Sequence, residues 1–213
     1  MIFRRTFFAA LAGLLVCLAH GPSSASAGEQ EPKAFVNYLA QTAMETMTTK
    51  GLTDHDRANR FRSLFTSEVD LPEIGKFVLG RHWANATPEQ RQEFLKSFED
   101  IVILTWSSRF KDYGGDLRHS VTNVSDEGGR GITVDSKVDR QNQQPIALQW
   151  RLKQTDAGLR VVDLVVEGSS MSITYRSEYA AVIQSNGGKL DGLLAALRTK
   201  LVELKATQAT KSN

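Results

Sequence analysis

Three neighbouring residues, Arg81, His82 and Trp83, carry side chains that a catalytic or ligand-binding site would use. An imidazole that titrates near neutral pH, next to a permanent cation, can move a proton or hold an anion. The flanking residues favour a structural interpretation, because Gly80 is placed to end one helix and Thr87 to cap the next. We therefore interpret Trp83 as an apolar plug in this connection and predict no catalytic role for His82.

The sequence lacks the motifs of metal and nucleotide sites. Beyond the first 27 residues the histidines are His55, His82 and His119, and none has a second His or a carboxylate at a recognised metal-ligand spacing. No glycine-rich phosphate-binding loop follows a predicted strand. We predict that the protein uses no metal and no cofactor.

Serine and carboxylate chemistry find little support. Ser169 and Ser170 follow a strand and precede a helix, as a hydrolase nucleophile does, but Ser172 stands where that turn needs glycine. We interpret Ser169 or Ser170 as a helix cap. Asp163 and Glu167 fall on one strand face, where an edge salt bridge is a simpler interpretation than an acid and base pair.

The first 27 residues form a predicted export signal. Arg4 and Arg5 precede an apolar stretch at 7–19 that is too short to span a bilayer, and small residues at 25–27 offer a cleavage site. Both the general and the twin-arginine export routes stay open. Residues 28–205 then form one predicted domain, and 206–213 a flexible polar tail.

The chain without its signal is neutral and has no cysteine. The whole sequence has 26 Lys and Arg against 24 Asp and Glu, and the signal removes two arginines and no acid. The single cysteine, Cys17, lies in the signal, which excludes disulfides, thiol catalysis and Cys-based metal sites. No basic stripe with interleaved aromatics occurs, so we predict no nucleic-acid partner. No second stretch is long and apolar enough to span a membrane, so we expect a soluble protein.

Periodicity predicts an α+β fold. Apolar residues recur every three or four positions in helices at 34–49, 54–65, 71–79, from 88 onwards, and twice more after residue 168. Alternating polar and apolar residues predict antiparallel strands between about 117 and 166. We predict an antiparallel sheet of about four strands, covered on one face by the N-terminal and C-terminal helices.

Two segments are more apolar than a surface element requires. Residues 101–106 of the long helix are apolar around nearly the whole circumference, and the strand at 159–166 is apolar on both faces except at Arg160 and Asp163. An aromatic row, formed by Trp106, Phe110, Trp150, Tyr175 and Tyr179, converges with them on the space between helices and sheet. The pattern indicates either an ordinary core or a ligand cavity.

An ordered set of landmarks spans nearly all of this chain, from about Phe35 to Leu201. It comprises Leu79-Gly80-Arg81-His82-Trp83, Ala86-Thr87-Pro88-Glu89-Gln90-Arg91, Phe94 and Phe98, then Val162-Asp163, Glu167-Gly168 and Arg176-Ser177-Glu178-Tyr179. In this order the landmarks resemble the MlaC family of periplasmic phospholipid-binding proteins, also called toluene-tolerance auxiliary proteins. The chain departs from the family pattern at Trp106, where a tyrosine is expected, and at Ser169, where an aliphatic residue is usual.

The resemblance implies a periplasmic lipid carrier rather than an enzyme. Such proteins hold acyl chains in an apolar pocket between helices and sheet. They shuttle phospholipid between an outer-membrane lipoprotein complex and an inner-membrane ABC transporter with an MCE-domain ring, and so act in outer-membrane lipid asymmetry. We expect a monomer, with Arg81 and His82 facing solvent or a lipid headgroup.

Ten residues, chosen by periodicity, are predicted to line the acyl-chain pocket: Val102, Trp106, Phe110, Leu148, Trp150, Leu152, Val162, Leu164, Met171 and Tyr175. Three other functions stay open. One is a carrier of hopanoids or other polycyclic lipids. Another is a small α+β isomerase or lyase acting on an apolar substrate through a buried group such as Asp163, Tyr175 or His119. The third is a periplasmic adaptor whose apolar patch binds another protein.

Overall fold

The computed structural model describes residues 31–110, 117–126 and 128–211, so the predicted signal at 1–27 lies outside it. Within these ranges the chain forms a long N-terminal helical part, a run of strands and two final helices. The elements are α1 (Pro32–Thr48), α2 (Asp54–Glu68), α3 (Leu71–Leu79), α4 (Arg81–Asn85), α5 (Pro88–Phe110), β1 (Leu117–Asp126), β2 (Ile132–Arg140), β3 (Gln143–Thr155), β4 (Gly158–Val166), β5 (Ser169–Ser170), α6 (Met171–Ser185) and α7 (Leu190–Lys211).

Several helices begin at the capping residues that the sequence indicates. The Thr53 side chain accepts a hydrogen bond from the backbone N–H of Asp56 at 3.0 Å, which caps α2. At the start of α5, Thr87 Oγ1 accepts from the N–H of Gln90 at 3.2 Å, and Gln90 Oε1 accepts from the N–H of Thr87 at 3.0 Å. These reciprocal bonds form the predicted capping box.

The strands form one antiparallel sheet in the order β1-β2-β3-β4-β5. The sequence predicts about four strands, and the fifth, β5, has only two residues. The backbone of Glu167 and Gly168 has positive φ, +49° and +77°, which folds Ser169 and Ser170 back onto the end of β4. A two-residue strand has no alternation to detect, so periodicity cannot predict it.

Two apolar cores lie on the covered side of the sheet. A helical core joins α3, α5, α6 and α7, with Phe94 and Leu193 0% and 1% exposed. A smaller sheet core packs α1 against β2, β3 and β4, with Val36, Val134 and Leu159 each 0% exposed. Helix α2 bridges the two, because Arg62 forms ion pairs with Glu99 and Asp100 of α5 while Arg57 donates to the Thr46 carbonyl at the end of α1.

The chain ends in a longer helix than the sequence suggests. Helix α7 continues to Lys211, so residues 206–211, predicted as part of a flexible tail, are helical, and 212–213 lie outside the described residues. In the described part of the chain, no helix is long and apolar enough to cross a membrane.

Candidate functional site

A cavity of about 200 Å³ lies between the two cores. Its walls come from α1, α2, α3, α5 and α6 and from strands β3 and β4, and nearly all of its surface is apolar. The lining residues are Leu39, Ala43, Phe61, Leu64, Phe65, Glu68, Val69, Ile74, Phe98, Val102, Trp106, Trp150, Val161, Asp163, Leu164, Met171, Ser172 and Tyr175.

Aromatic rings make up a third of this lining: Phe61, Phe65, Phe98, Trp106, Trp150 and Tyr175. Neighbours fix several of them in place. Phe98 and Tyr175 meet edge to face, with ring centroids 5.1 Å apart and planes at 87°. The indole N–H of Trp150 donates to Ser136 Oγ at 2.9 Å, which gives its polar atom a partner. These contacts fix the orientation of three of the six rings, one each on α5, α6 and β3.

A bulge in the sheet turns two residues of β4 toward the cavity. Trp150 pairs with Leu164, but Leu152 pairs with Val161, so β4 contains one extra residue at this point. Val161 and Leu164 are three positions apart and would face opposite sides of a regular strand. With the bulge, both line the cavity, while Val162 does not.

A buried carboxylate is built into the wall beside the bulge. Asp163, which is 6% exposed, accepts hydrogen bonds from Ser170 Oγ at 2.6 Å, the N–H of Ser172 at 3.0 Å and Arg151 Nη1 at 3.2 Å. Ser170 Oγ also accepts from the N–H of Ile173 at 3.1 Å and so caps α6, as predicted. The cluster ties β4 to the N-terminus of α6, where the helix dipole favours a negative charge.

The other acid in the wall is Glu68, the last residue of α2, which is half-buried. Since the cavity surface is almost wholly apolar, the Glu68 carboxylate contributes little to it. Glu68 therefore belongs to the rim, with its methylene groups against the cavity.

The cavity meets only part of what an isomerase or lyase would need. Asp163 and Tyr175 line the cavity, as that hypothesis requires, but His119 is not among the lining residues. Three donors already occupy the Asp163 carboxylate, so it is badly placed to take a proton from a substrate. The hypothesis of a protein-binding adaptor predicts a closed core without a cavity, whereas the described residues form a cavity.

His119 lies on β1, opposite Val138. Its Nε2 atom is buried and has no hydrogen-bond partner in the part of the chain that the structure describes. Burial lowers the pKa of the imidazole, because a charged ring would lose hydration there. Among the described residues no group of His, Cys, Asp and Glu is arranged to hold a metal ion.

Comparison with known proteins identifies the family. The model of the family described as MlaC protein matches residues 33–199, which is most of the chain. The chain belongs to the MlaC family.

Two relatives of this MlaC-family chain are informative. It is 25% identical over 124 residues to the toluene tolerance protein ttg2D of Pseudomonas putida, a match that covers 58% of the chain and only 57% of that relative. It also resembles the solved structure of a phospholipid-binding protein from Ralstonia solanacearum in complex with a phospholipid. That likeness has a TM-score of 0.72 at 23% identity and covers 83% of this chain and 99% of the other, which shows a shared fold.

The structure brings together six of the ten residues predicted from the sequence of this MlaC-family chain: Val102, Trp106, Trp150, Leu164, Met171 and Tyr175 all line the cavity. Leu152 instead lies in the sheet core, 1% exposed. Leu148 and Val162 are half-buried and outside the lining. The side chain of Phe110 lies outside the described residues.

The part of the cavity formed by α1 and α2 is not predicted from the sequence. Phe61, Leu64 and Phe65 are the inward residues of the amphipathic α2, and Leu39 is inward on α1. Their spacing signals burial, but periodicity does not distinguish a side chain that meets a core from one that meets a cavity.

The five-residue helix α4 contains Arg81, His82 and Trp83, the neighbouring residues whose types could serve a catalytic site. None of the three lines the cavity. Trp83 packs against the helical core. Arg91 of α5 stacks on the Trp83 ring at 5.3 Å and donates to the Trp83 carbonyl at 3.0 Å. The structure thus gives Trp83 the packing role that the sequence predicts.

Proposed function

We propose that this protein is a periplasmic lipid carrier that holds phospholipid acyl chains in the cavity between its two cores. The cavity itself carries the proposal. Its wall is almost wholly apolar and gives water few hydrogen-bond partners, so each methylene group of an acyl chain placed there gains about 0.8 kcal/mol.

The size of the cavity implies that loading widens it. Pockets for small ligands have volumes of about 300–1,000 Å³, and a lipid with two acyl chains needs at least that much. Helix α2 is the wall that we expect to move, because only Arg57 and Ala58 of its residues are buried and it is held to α5 by the partly exposed ion pairs of Arg62. The aromatic residues on α5, α6 and β3 are anchored in the body of the protein.

Membership of the MlaC family supports the wider role that the resemblance implies. We propose that a monomer receives and delivers phospholipid at an outer-membrane lipoprotein complex and an inner-membrane MCE-domain ABC transporter. The six aromatic rings in the wall also favour a second ligand class, because flat rings pack well against a rigid polycyclic lipid such as a hopanoid.

The proposal is tested by asking what the protein carries. Native mass spectrometry of gently purified protein should show bound lipid, and delipidated protein should take up lipid from phosphatidylethanolamine and phosphatidylglycerol vesicles. Ala43→Trp places an indole ring in the cavity and should reduce uptake, whereas Ala180→Trp, on the exposed side of α6, should leave uptake unchanged. Lipid-free protein that also takes up nothing from vesicles would rule the proposal out.

A further inference from the structure

Among the described residues that line the cavity, two have acidic side chains, Glu68 and Asp163, and one further lining residue beside Asp163 is Ser172. Asp163 and Ser172 belong to the cluster at the start of α6, where the Asp163 carboxylate already has three donors. Glu68 differs from both, since its side chain makes no hydrogen bond or ion pair with any other residue in the described ranges. Its carboxylate is therefore the acidic group of the lining that is available to a ligand.

The position of Glu68 adds to its preference for a cation. It is the last residue of α2, and carbonyl groups at a helix C-terminus carry a partial negative charge. The last turn of α2 contains no basic residue that would offset this charge. The carboxylate and the helix end therefore both favour a positively charged ligand group at the rim.

No ion pair neutralises Glu68 within the described ranges, and the basic residue that precedes it on α2, Arg62, is engaged elsewhere. Arg62 is engaged by both Glu99 and Asp100, so that cluster contains two acids for one base. A phosphate alone would be repelled at this rim, whereas a primary ammonium could form a charge-assisted hydrogen bond with the carboxylate.

We propose that Glu68 recognises the headgroup and gives the carrier a preference for phospholipids with a primary ammonium over phospholipids with a purely anionic headgroup. This inference rests on the proposed function, since it requires acyl chains in the cavity and the headgroup at its rim. The interaction is partly exposed to solvent, so a preference of roughly two- to fivefold is expected.

The test loads delipidated protein from vesicles that contain equal amounts of phosphatidylethanolamine and phosphatidylglycerol with the same acyl chains. Native mass spectrometry then gives both the total lipid bound and the ratio of the two headgroups. The variants are Glu68→Gln, which removes the charge, and Glu68→Asp, which keeps it. Glu203→Gln, on the exposed face of α7, is the matched control.

We expect wild type, Glu68→Asp and Glu203→Gln to favour phosphatidylethanolamine, and Glu68→Gln to lose that preference at unchanged total lipid. Equal headgroup ratios in wild type and Glu68→Gln would overturn the inference while leaving the carrier function intact. A Glu68→Gln protein that binds no lipid at all would also overturn it, because the carboxylate would then be structural. Absence of lipid from wild type would instead contradict the proposed function.

Discussion

Asp163 is the residue on which the cavity wall depends most directly. Its carboxylate joins three separate parts of the chain: Arg151 on β3, Ser170 on β5 and the first turn of α6 at Ser172. Ser172 and its α6 neighbours Met171 and Tyr175 line the cavity. A buried acid that is fully hydrogen-bonded in this way fixes geometry, and its removal leaves its donors unpaired.

We therefore expect Asp163→Asn to lower the free energy of unfolding by about 2–4 kcal/mol, because the buried donors lose a charged acceptor and Arg151 loses its counter-ion. Urea unfolding followed by circular dichroism measures the change. Asp156→Asn, in the exposed turn between β3 and β4, is the control and should stay within about 0.5 kcal/mol of wild type. A loss below about 1 kcal/mol for Asp163→Asn would show that the cluster is not a structural anchor.

At the scale of elements, the junction between α3 and α4 depends on the backbone of Gly80. Its φ of +53° and ψ of −125° lie in a region that residues with a Cβ atom rarely adopt. A Cβ atom at this position would also come within 3.1 Å of Arg176 Nη2, on the helix packed beside it. The turn that ends α3 and directs Trp83 into the helical core therefore requires glycine.

Gly80→Ala should accordingly cost about 1–3 kcal/mol of stability. For a chain of this length each kcal/mol corresponds to a fall of roughly 2–4 °C in the melting temperature. Gly129→Ala is the matched control, since its φ is not positive and no atom lies within 4 Å of its added Cβ. Equal melting temperatures for the two variants would mean that the junction tolerates a side chain.

The elements that the sequence predicts well are those with local causes. Thr53 and Thr87 cap helices through bonds to residues three positions away, so their signals lie within one short stretch. Helix α4 and strand β5 were missed because five and two residues are too few to show a period. The two-residue strand exists only because β4 offers it an edge, which is a non-local cause.

The sequence predicts where in the fold the candidate site lies, but it does not predict all of the residues that line it. An excess of apolar residues on α5 and β4 points to the space between helices and sheet, and the cavity lies there. The bulge opposite Arg151 could not be read from the sequence, and it brings Val161 to the cavity in place of Val162. Strict alternation likewise assigned Leu148 and Leu152 to the site along with Trp150, although packing against α1 encloses Leu152 in the sheet core.

At the scale of the whole molecule, the cavity is lined by residues of both cores, so a ligand inside it contacts the two together. A ligand that fills it binds the folded protein and not the unfolded chain, so it stabilises the fold by an amount that grows with its concentration. At a free ligand concentration of about one hundred times the dissociation constant, the gain is about 2.7 kcal/mol.

Delipidated protein should therefore melt about 5–10 °C below the same protein reloaded from phosphatidylethanolamine vesicles, as measured by differential scanning calorimetry. Ala43→Trp, whose new side chain occupies part of the cavity, should show a smaller difference between the two states, because less apolar surface is left for lipid to cover. Ala180→Trp should behave like wild type, since Ala180 lies outside the cavity. Identical melting temperatures with and without lipid in wild type would mean that the two cores stabilise each other without a ligand between them.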